Sequence, residues 1–202
     1  MTIPAVHYSG EAPNFGGSML ITDFLSFGGR PSQYDLGYAL AQMHLAEPLA
    51  DAAKSGCFGF PVDNTLGPTP QPNTPFNHTN WVDFFRKYRL QHQLKLTCDS
   101  KLQDKGNMLC ENLDVFFENI EVKPSVLHGD LWAGKTNCIH PSEKCQYIRL
   151  QTHLMVNLFS TRAGNIAAVD GKPSLFDPAT SYGHHEAEYA RNRALGELFN
   201  LR

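Results

Sequence analysis

The residues with the clearest chemical potential lie in a short turn and in a second segment further along the chain. An apolar run ending at Leu127 leads into His128-Gly129-Asp130, which sets a carboxylate at the tip of a tight loop. Asn165 and Asp177 follow later and carry the amide and carboxylate oxygens that Mg²⁺ prefers as ligands. A base and an oxygen-lined metal site are what phosphoryl transfer needs, since it depends on an aligned hydroxyl and on neutralised phosphate charge.

The spacing of these residues is informative. Phosphotransferases of the protein-kinase shape place the metal-binding Asn five residues after the catalytic Asp. Here that position is Lys135, whose ammonium group cannot hold Mg²⁺. If residues 135–164 are removed, Asn165 falls five positions after Asp130, and Asp177 takes the place of the second metal-binding Asp. The sequence therefore predicts that 135–164 is an insertion in a catalytic loop.

The ordered motifs resemble the fructosamine 3-kinase (ketosamine 3-kinase) family. A lone His-Gly-Asp is shared with choline and aminoglycoside kinases, but the full set is far more specific. The resemblance runs from about Val6 to Phe199 and rests on Asn165 together with the segments 58–60, 67–73, 81–85, 89–90, 128–134, 175–179 and 182–188.

The resemblance implies an α+β fold of the protein-kinase-like type found in aminoglycoside phosphotransferases and choline kinases. Residues 1–27 are expected to be a remnant of the N-lobe strands and the hinge, and 28–202 a mostly helical C-lobe with the catalytic loop. Family members carry a glycine-containing phosphate loop, a strand Lys and a helix Glu before the hinge, whereas Lys54 is the first lysine here. They also continue beyond the position of Arg202, so the chain is expected to be truncated at both ends.

The resemblance also implies roles for individual residues. Asp130 would be the catalytic base, and Asn165 and Asp177 would hold Mg²⁺. The hinge would hold the adenine of ATP through Thr22, Asp23, Phe24 and Leu25. The acceptor would be bound by Trp132, whose flat apolar face suits a sugar ring, and by His128, Gln71 and Asn73.

Three functional hypotheses follow. The first is an ATP-dependent kinase that phosphorylates the 3-hydroxyl of the ketosamine sugar on glycated amines or proteins. The second is a catalytically inactive fragment or pseudokinase that lacks the phosphate loop. The third is another member of the choline and aminoglycoside kinase group, against which Trp132, Gln71 and the run 176–179 argue. The exact acceptor and the activity of the chain stay open at this point.

The insertion has its own alternatives. Gly134-Lys135 can be encoded with the splice-donor signal GTAAG and Ala163-Gly164 with an acceptor AG, which supports the hypothesis of a retained in-frame intron. A zinc site is the competing interpretation, because suitable ligand types are present, but their spacing matches no common zinc motif. These ligand types are Cys138, His140, Cys145 and His153.

Composition limits the protein class. A chain of 202 residues with a net charge of −3 can bury the core of a single domain. We see no basic patch for nucleic acid and no apolar run long enough to span a membrane. The five cysteines are odd in number and irregularly spaced, which indicates reduced thiols and a cytoplasmic location. The oligomeric state cannot be read from the sequence.

Periodicity predicts the elements that position these residues. Val6–Tyr8 and Met19–Leu25 should form a strand pair. A helix over Ser32–Lys54 should begin with a Ser32/Asp35 capping box and end near Gly56. Its inward residues should be Leu36, Leu40, Met43 and Leu45, with His44 as a structural histidine on the same stripe.

The remaining elements follow in order. Residues 57–77 should be an irregular loop, because Pro and Gly punctuate them. Helices should span Thr79–Thr97, with Thr79 as the N-cap, and Leu102–Asn119, and a last helix should open at His184. In the first of these helices Arg89 is expected to pair with a carboxylate. The inward residues should be Trp81, Phe84, Phe85, Tyr88, His92 and Leu96 in the first and Leu109, Leu113, Phe116 and Phe117 in the second.

Overall fold

The computed structural model describes residues 1–132 and 164–190, together with two short strands at Ile148–Arg149 and Met155–Val156. It contains both helices and strands, as predicted. The described residues form two compact units, one of residues 1–39, 131–132 and 164–177 and one of residues 40–130 and 178–190.

The described residues form the following strands and helices, in chain order. The strands are β1 Val6–Glu11, β2 Ser18–Thr22, β3 Asn64–Leu66, β4 Thr69–Gln71, β5 Ser125–Leu127, β6 Ile148–Arg149, β7 Met155–Val156, β8 Ile166–Val169, β9 Lys172–Leu175 and β10 Ser181–Gly183. The helices are α1 Gln33–Leu45, α2 Asp51–Lys54, α3 Trp81–Phe85, α4 Gln91–Leu96, α5 Ser100–Glu111 and α6 Ala187–Ala190. A π-helical turn lies at Arg86–Leu90 and a 3₁₀ helix at Leu113–Phe117.

None of the helices in the described part of the chain is long and apolar enough to cross a membrane.

The first unit contains the hairpins β1–β2 and β8–β9. The antiparallel pair β1–β2 confirms the predicted strand pair, although β2 ends at Thr22 rather than Leu25. The second hairpin is β8–β9. The segment after β2 joins this hairpin, because the Gly28 amide donates to the Ala168 carbonyl at 2.8 Å and the Ala168 amide to the Gly29 carbonyl at 3.0 Å.

The helix predicted over Ser32–Lys54 is divided into α1 and α2. The capping box is confirmed, since the Ser32 hydroxyl accepts from the Asp35 amide at 3.0 Å and donates to the Asp35 carboxylate at 2.6 Å. The prediction failed at Pro48, which lacks an amide hydrogen and disfavours helical geometry in the residue before it. Leu36 and Leu40 are fully buried, but Leu45 is exposed and its assignment to the core was wrong.

The second unit contains an apolar core cluster of Phe58, Trp81, Val82, Phe84 and Leu113. The predicted second helix is present as α3, the π-helical turn and α4. Its N-cap is Asn80 rather than Thr79, because the Asn80 side chain accepts from the Asp83 amide at 3.0 Å. Trp81 and Phe84 are core residues as predicted, whereas Leu96 is exposed.

Two further predictions about the second unit were corrected. The predicted loop 57–77 contains the hairpin β3–β4, whose turn uses Gly67 at a φ of 55°. The predicted helix Leu102–Asn119 ends at Glu111 and continues as the 3₁₀ helix. Leu113 is buried at the start of the 3₁₀ helix, whereas Phe116 in the same helix and Leu109 on α5 are exposed, so their assignment to the core was wrong.

Candidate active site

The predicted catalytic turn follows directly from a strand. β5 pairs with β10 in antiparallel register, and His128-Gly129-Asp130 begins where β5 ends. Gly129 has a φ of 81°, and a β-carbon at this position would overlap the backbone carbonyl of Ala179. Only glycine fits both the left-handed conformation and the close approach, so the turn geometry is fixed by its residue type.

A buried carboxylate holds this turn in place. Glu188 Oε2 accepts from the His128 amide at 2.6 Å, and Glu188 Oε1 accepts from the Gly129 amide at 2.9 Å. The Asp130 amide donates to His128 Nδ1 at 3.3 Å. The two residues before Asp130 are therefore tied by charge-assisted hydrogen bonds, which are stronger than neutral ones.

Glu188 was not identified from the sequence as a supporting residue. His44, predicted to be structural, is buried with its Nε2 atom 3.6 Å from Glu188 Oε2. Glu186 is exposed and precedes α6, the helix that carries Glu188. The only sequence signal for Glu188 was its position as a carboxylate within the segment predicted to be the last helix.

The β8–β9 hairpin brings the two predicted metal ligands together. Its turn is Asp170-Gly171, with φ values of 50° and 76°, which suits a tight two-residue hairpin. Because the strands are antiparallel, Asn165 and Asp177 flank the same end of the hairpin. Asn165 Nδ2 donates to the Asp177 carbonyl at 3.3 Å, and Asp177 has a φ of 56° and an exposed side chain.

The donor set at this end suits Mg²⁺. An amide oxygen and a carboxylate are hard ligands, and Mg²⁺ commonly takes one or two protein oxygens and completes its shell with phosphates and water. Across residues 1–132 and 164–190, no three His, Cys, Asp or Glu side chains lie close enough to hold a metal by themselves. The donor types at Asn165 and Asp177 fit Mg²⁺ because both side chains offer hard oxygen atoms.

A backbone hydrogen bond joins the residues on either side of the predicted insertion. The Asn165 amide donates to the Trp132 carbonyl at 2.8 Å. If 135–164 were absent, these residues would be three positions apart and this would be an ordinary turn hydrogen bond. Trp132 is 36% exposed. The zinc candidates Cys138, His140, Cys145 and His153 lie outside the described residues.

The predicted hinge follows β2. The Asp23 amide donates to the Ala5 carbonyl at 2.9 Å, and its carboxylate accepts from the Ala5 amide at 3.0 Å and lies 2.6 Å from His7 Nε2. The Ala5 amide and then the His7 hydrogen bond hold the pKa of Asp23 below its ordinary value. Phe24 is 82% exposed.

The predicted acceptor residues Gln71 and Asn73 lie in a buried amide network. Gln71 Nε2 donates to Asn64 Oδ1 at 2.9 Å and to the Ala179 carbonyl at 3.1 Å. Asn73 is 0% exposed, and its Nδ2 also donates to Asn64 Oδ1, at 3.1 Å. Arg89 donates to Asn73 Oδ1 at 2.6 Å.

Asp63 supports the same network from the surface. Its Oδ1 accepts from the Asn73 amide at 2.7 Å and from the amide and hydroxyl of Thr74, both at 2.9 Å. These hydrogen bonds, with the Asn73 amide first, hold the pKa of Asp63 below its ordinary value. Asp63 and Asn64 were not identified from the sequence, because a Pro- and Gly-rich segment gives no periodicity to interpret.

A cavity of about 230 Å³ lies beside this network. Its wall includes the backbone of Gly129 and the side chains of Gln71, Trp81, Arg89 and Gln93. Gln93 is exposed, in contrast to Gln71, so the two glutamines contact the same cavity from different environments.

Comparison with known proteins identifies similar chains. The family profile described as fructosamine kinase matches residues 1–200. The chain is 37% identical over 200 residues to the protein-ribulosamine 3-kinase, chloroplastic, of Arabidopsis thaliana, with 96% of this chain and 50% of the relative covered. It is 29% identical over 203 residues to the ketosamine-3-kinase of Mus musculus, with 89% and 55% covered.

Solved structures support the fold. A candidate fructosamine-3-kinase from Haemophilus somnus superimposes with a TM-score of 0.61 at 20% identity, covering 100% of this chain and 60% of that one. A second, from Thermobifida fusca, gives a TM-score of 0.59 at 22% identity, covering 97% and 53%. The chain spans about half the length of the curated relatives it matches.

Proposed function

We propose that this chain, which belongs to the fructosamine kinase family, supplies the catalytic part of an ATP-dependent ketosamine 3-kinase. The reaction is transfer of the γ-phosphoryl group of ATP to the 3-hydroxyl of the ketosamine sugar on a glycated amine or protein. The names of the relatives from Arabidopsis thaliana and Mus musculus support this substrate class. The single structural observation that carries the proposal is the hydrogen bond from the Asn165 amide to the Trp132 carbonyl, which returns the chain to the loop.

Asp130 is proposed to act as the base. Its carboxylate accepts a hydrogen bond from the 3-hydroxyl and takes the proton as the new oxygen–phosphorus bond forms and the bond from the γ-phosphorus to the bridging oxygen breaks. Little covalent assistance is needed in such a transfer, so alignment of the acceptor dominates. The bonds from His128 and Gly129 to Glu188 support this role, since they hold the turn that precedes Asp130.

Asn165 and Asp177 are proposed to hold Mg²⁺ through their side-chain oxygens. When bound, the ion neutralises charge on the transferring phosphates. The hydrogen bond from Asn165 Nδ2 to the Asp177 carbonyl orients the Asn165 amide, and the hairpin keeps both residues at one end of the sheet. The hairpin would therefore position Asn165 and Asp177, as Glu188 positions the turn before Asp130.

The remaining roles are also proposals. Thr22, Asp23, Phe24 and Leu25 would hold adenine at the hinge, and Trp132 would offer its partly exposed ring to the sugar. His128, Gln71 and Asn73 are buried and would support acceptor binding from beneath. The fold is proposed to be protein-kinase-like, with residues 1–27 from the N-lobe and residues 28–202 from the C-lobe. The protein is proposed to be cytoplasmic.

The test is a transfer assay with purified chain, Mg-ATP and a fructosamine, followed by ³¹P NMR to locate the phosphate. We expect a 3-phosphate from the wild type and a loss of about 10³-fold or more in rate for Asp130→Asn, because general-base catalysis and alignment fail together. Asp104→Asn, an exposed carboxylate on α5, is the matched control. No transfer by the wild type, or equal transfer by Asp130→Asn, would overturn the proposal.

A further inference from the structure

We propose that Gln71 is a positioning residue that acts through the Ala179 backbone carbonyl and does not contact the substrate. This inference rests on the proposed function, in which Gln71 was assigned only to the support of acceptor binding. It names the contact through which Gln71 would act. Gln71 is buried, at 5% exposure, and its Nε2 donates to the Ala179 carbonyl at 3.1 Å. A buried amide donor with two acceptors in place has its hydrogens committed to the protein.

The direction of the Gln71 amide is determined by its neighbours. Asn64 Oδ1 accepts from Gln71 Nε2 at 2.9 Å and from Asn73 Nδ2 at 3.1 Å, while Asn64 Nδ2 donates to the Thr180 carbonyl at 2.8 Å. The side-chain oxygen of Asn73, Oδ1, accepts a hydrogen bond from Arg89. Asn64 and Asn73 are hydrogen-bonded through both amide atoms, and Gln71 is hydrogen-bonded through both hydrogens of its Nε2. Gln71 and Asn64 therefore donate to two consecutive carbonyls, those of Ala179 and Thr180.

The Ala179 carbonyl lies against Gly129 of the turn. The space where Gly129 would carry a side chain is filled by the Ala179 carbonyl oxygen. Gly129 immediately precedes Asp130, and Ala179 follows Asp177 by two positions. A loss of the Gln71 hydrogen bond frees the Ala179 carbonyl to move, and with it the contact that fixes Gly129.

The test compares Gln71→Met with Gln93→Met. Methionine keeps the length of glutamine without its donor, and both glutamines contact the same cavity, but only Gln71 bonds to Ala179. We expect Gln71→Met to lower kcat by about 10-fold or more with little change in KM, because small displacements of an aligned site can cost up to about 100-fold. Gln93→Met should retain the wild-type values of both constants.

A second measurement does not depend on activity. Hydrogen–deuterium exchange of peptides covering 126–130 and 178–183 should be faster in Gln71→Met and unchanged in Gln93→Met, while peptides from α5 keep the wild-type rate in both. Faster exchange throughout the chain would indicate general destabilisation and would overturn a positioning role.

The kinetic outcomes separate the two assignments. A higher KM in both variants with unchanged kcat would show that substrate occupies the cavity and would overturn the inference. Equal kcat, KM and exchange in Gln71→Met and the wild type would overturn it as well. If the wild type transfers no phosphate, the proposed function fails, and the exchange measurement alone decides whether Gln71 holds the Ala179 segment.

Discussion

The proposed catalytic turn at 128–130 and the hairpin that carries the proposed metal ligands are held in different ways. In the turn, the His128 and Gly129 amides are bonded to Glu188, which is 60 and 59 positions away in sequence. In the hairpin, Asn165 and Asp177 are only 12 positions apart and are joined through β8 and β9. The turn therefore depends on long-range tertiary structure, whereas the hairpin carries its own geometry.

This difference separates what a substitution does to each region. Removing a long-range partner leaves buried polar groups without their acceptor, which costs more than the net value of a hydrogen bond. A change in a hairpin turn alters mainly local backbone energetics. The following predictions test the contrast, each with a matched change.

The largest effect is expected for Glu188→Leu. The His128 and Gly129 amides lose a buried carboxylate acceptor, so the free energy of unfolding should fall by about 3 kcal/mol or more. Urea unfolding followed by circular dichroism measures this change. Glu186→Leu, at an exposed position two residues earlier, is the control and should change stability by less than about 0.5 kcal/mol. Similar losses for both variants would mean that Glu188 does not hold the turn.

The next effect compares two glycines with left-handed backbones. Gly129→Ala adds a β-carbon that overlaps the Ala179 carbonyl, while Gly171→Ala adds one into open space at a φ of 76°. We expect a loss of about 1 kcal/mol for Gly171→Ala from backbone strain alone and at least about twice that for Gly129→Ala. Thermal unfolding of both variants gives the comparison, and equal losses would contradict the steric argument.

A smaller effect should locate the cap of α3. Asn80→Ala removes the side-chain oxygen that accepts from the Asp83 amide, and should cost about 1 kcal/mol. Thr79→Ala, which would have been the damaging change under the sequence prediction, should be nearly neutral. Chemical unfolding curves distinguish the two. A larger loss for Thr79→Ala would restore the original assignment of the cap.

The smallest expected effect is on the pH dependence of the unfolding free energy. It is expected from the unit that contains the turn, where His184 lies, since the hairpin 166–175 contains no histidine. Burial, and then the neighbouring His185, lowers the pKa of His184 below its ordinary value of 6.5. The unfolded chain therefore binds a proton more readily, so the stability contributed by neutral His184 is present above pH 6.5 and lost as pH falls below it. Unfolding free energy measured from pH 7.5 to 5 should fall less steeply in His184→Asn than in the wild type or in His92→Asn.

Sequence reasoning was most effective where the information is local or ordered. The Ser32/Asp35 capping box, the β1–β2 pair and the burial of Trp81 and Phe84 follow from spacing alone. The family resemblance, confirmed by the match over residues 1–200, followed from ordered motifs. The assignments of Asp130, Asn165 and Asp177 to chemical roles remain predictions, although the structure joins Asn165 and Asp177 at one end of a hairpin.

It was least effective where a distant residue decides the outcome. Glu188 could not be assigned to the turn from its position in the chain, because its bonds connect separate elements. The irregular segment 57–77 conceals Asp63 and Asn64, whose side chains serve backbone groups that no periodicity identifies. The helix predicted over Ser32–Lys54 breaks before Pro48, because proline lacks an amide hydrogen and its ring clashes with a preceding helical turn, whereas the apolar stripe alone predicts a continuous helix.

The hydrogen bond between Asn165 and Trp132 makes the geometry at this point of the loop insensitive to the length of the segment between the two residues. The hydrogen bond from the Asn165 amide to the Trp132 carbonyl fixes the distance between these two residues, whatever the number of residues between them. The entropy of closing such a loop rises by only about 0.6 kcal/mol for each doubling of its length. A change in the length of the segment between these two residues is therefore expected to cost little closure free energy, which makes the position suitable for attaching a reporter domain.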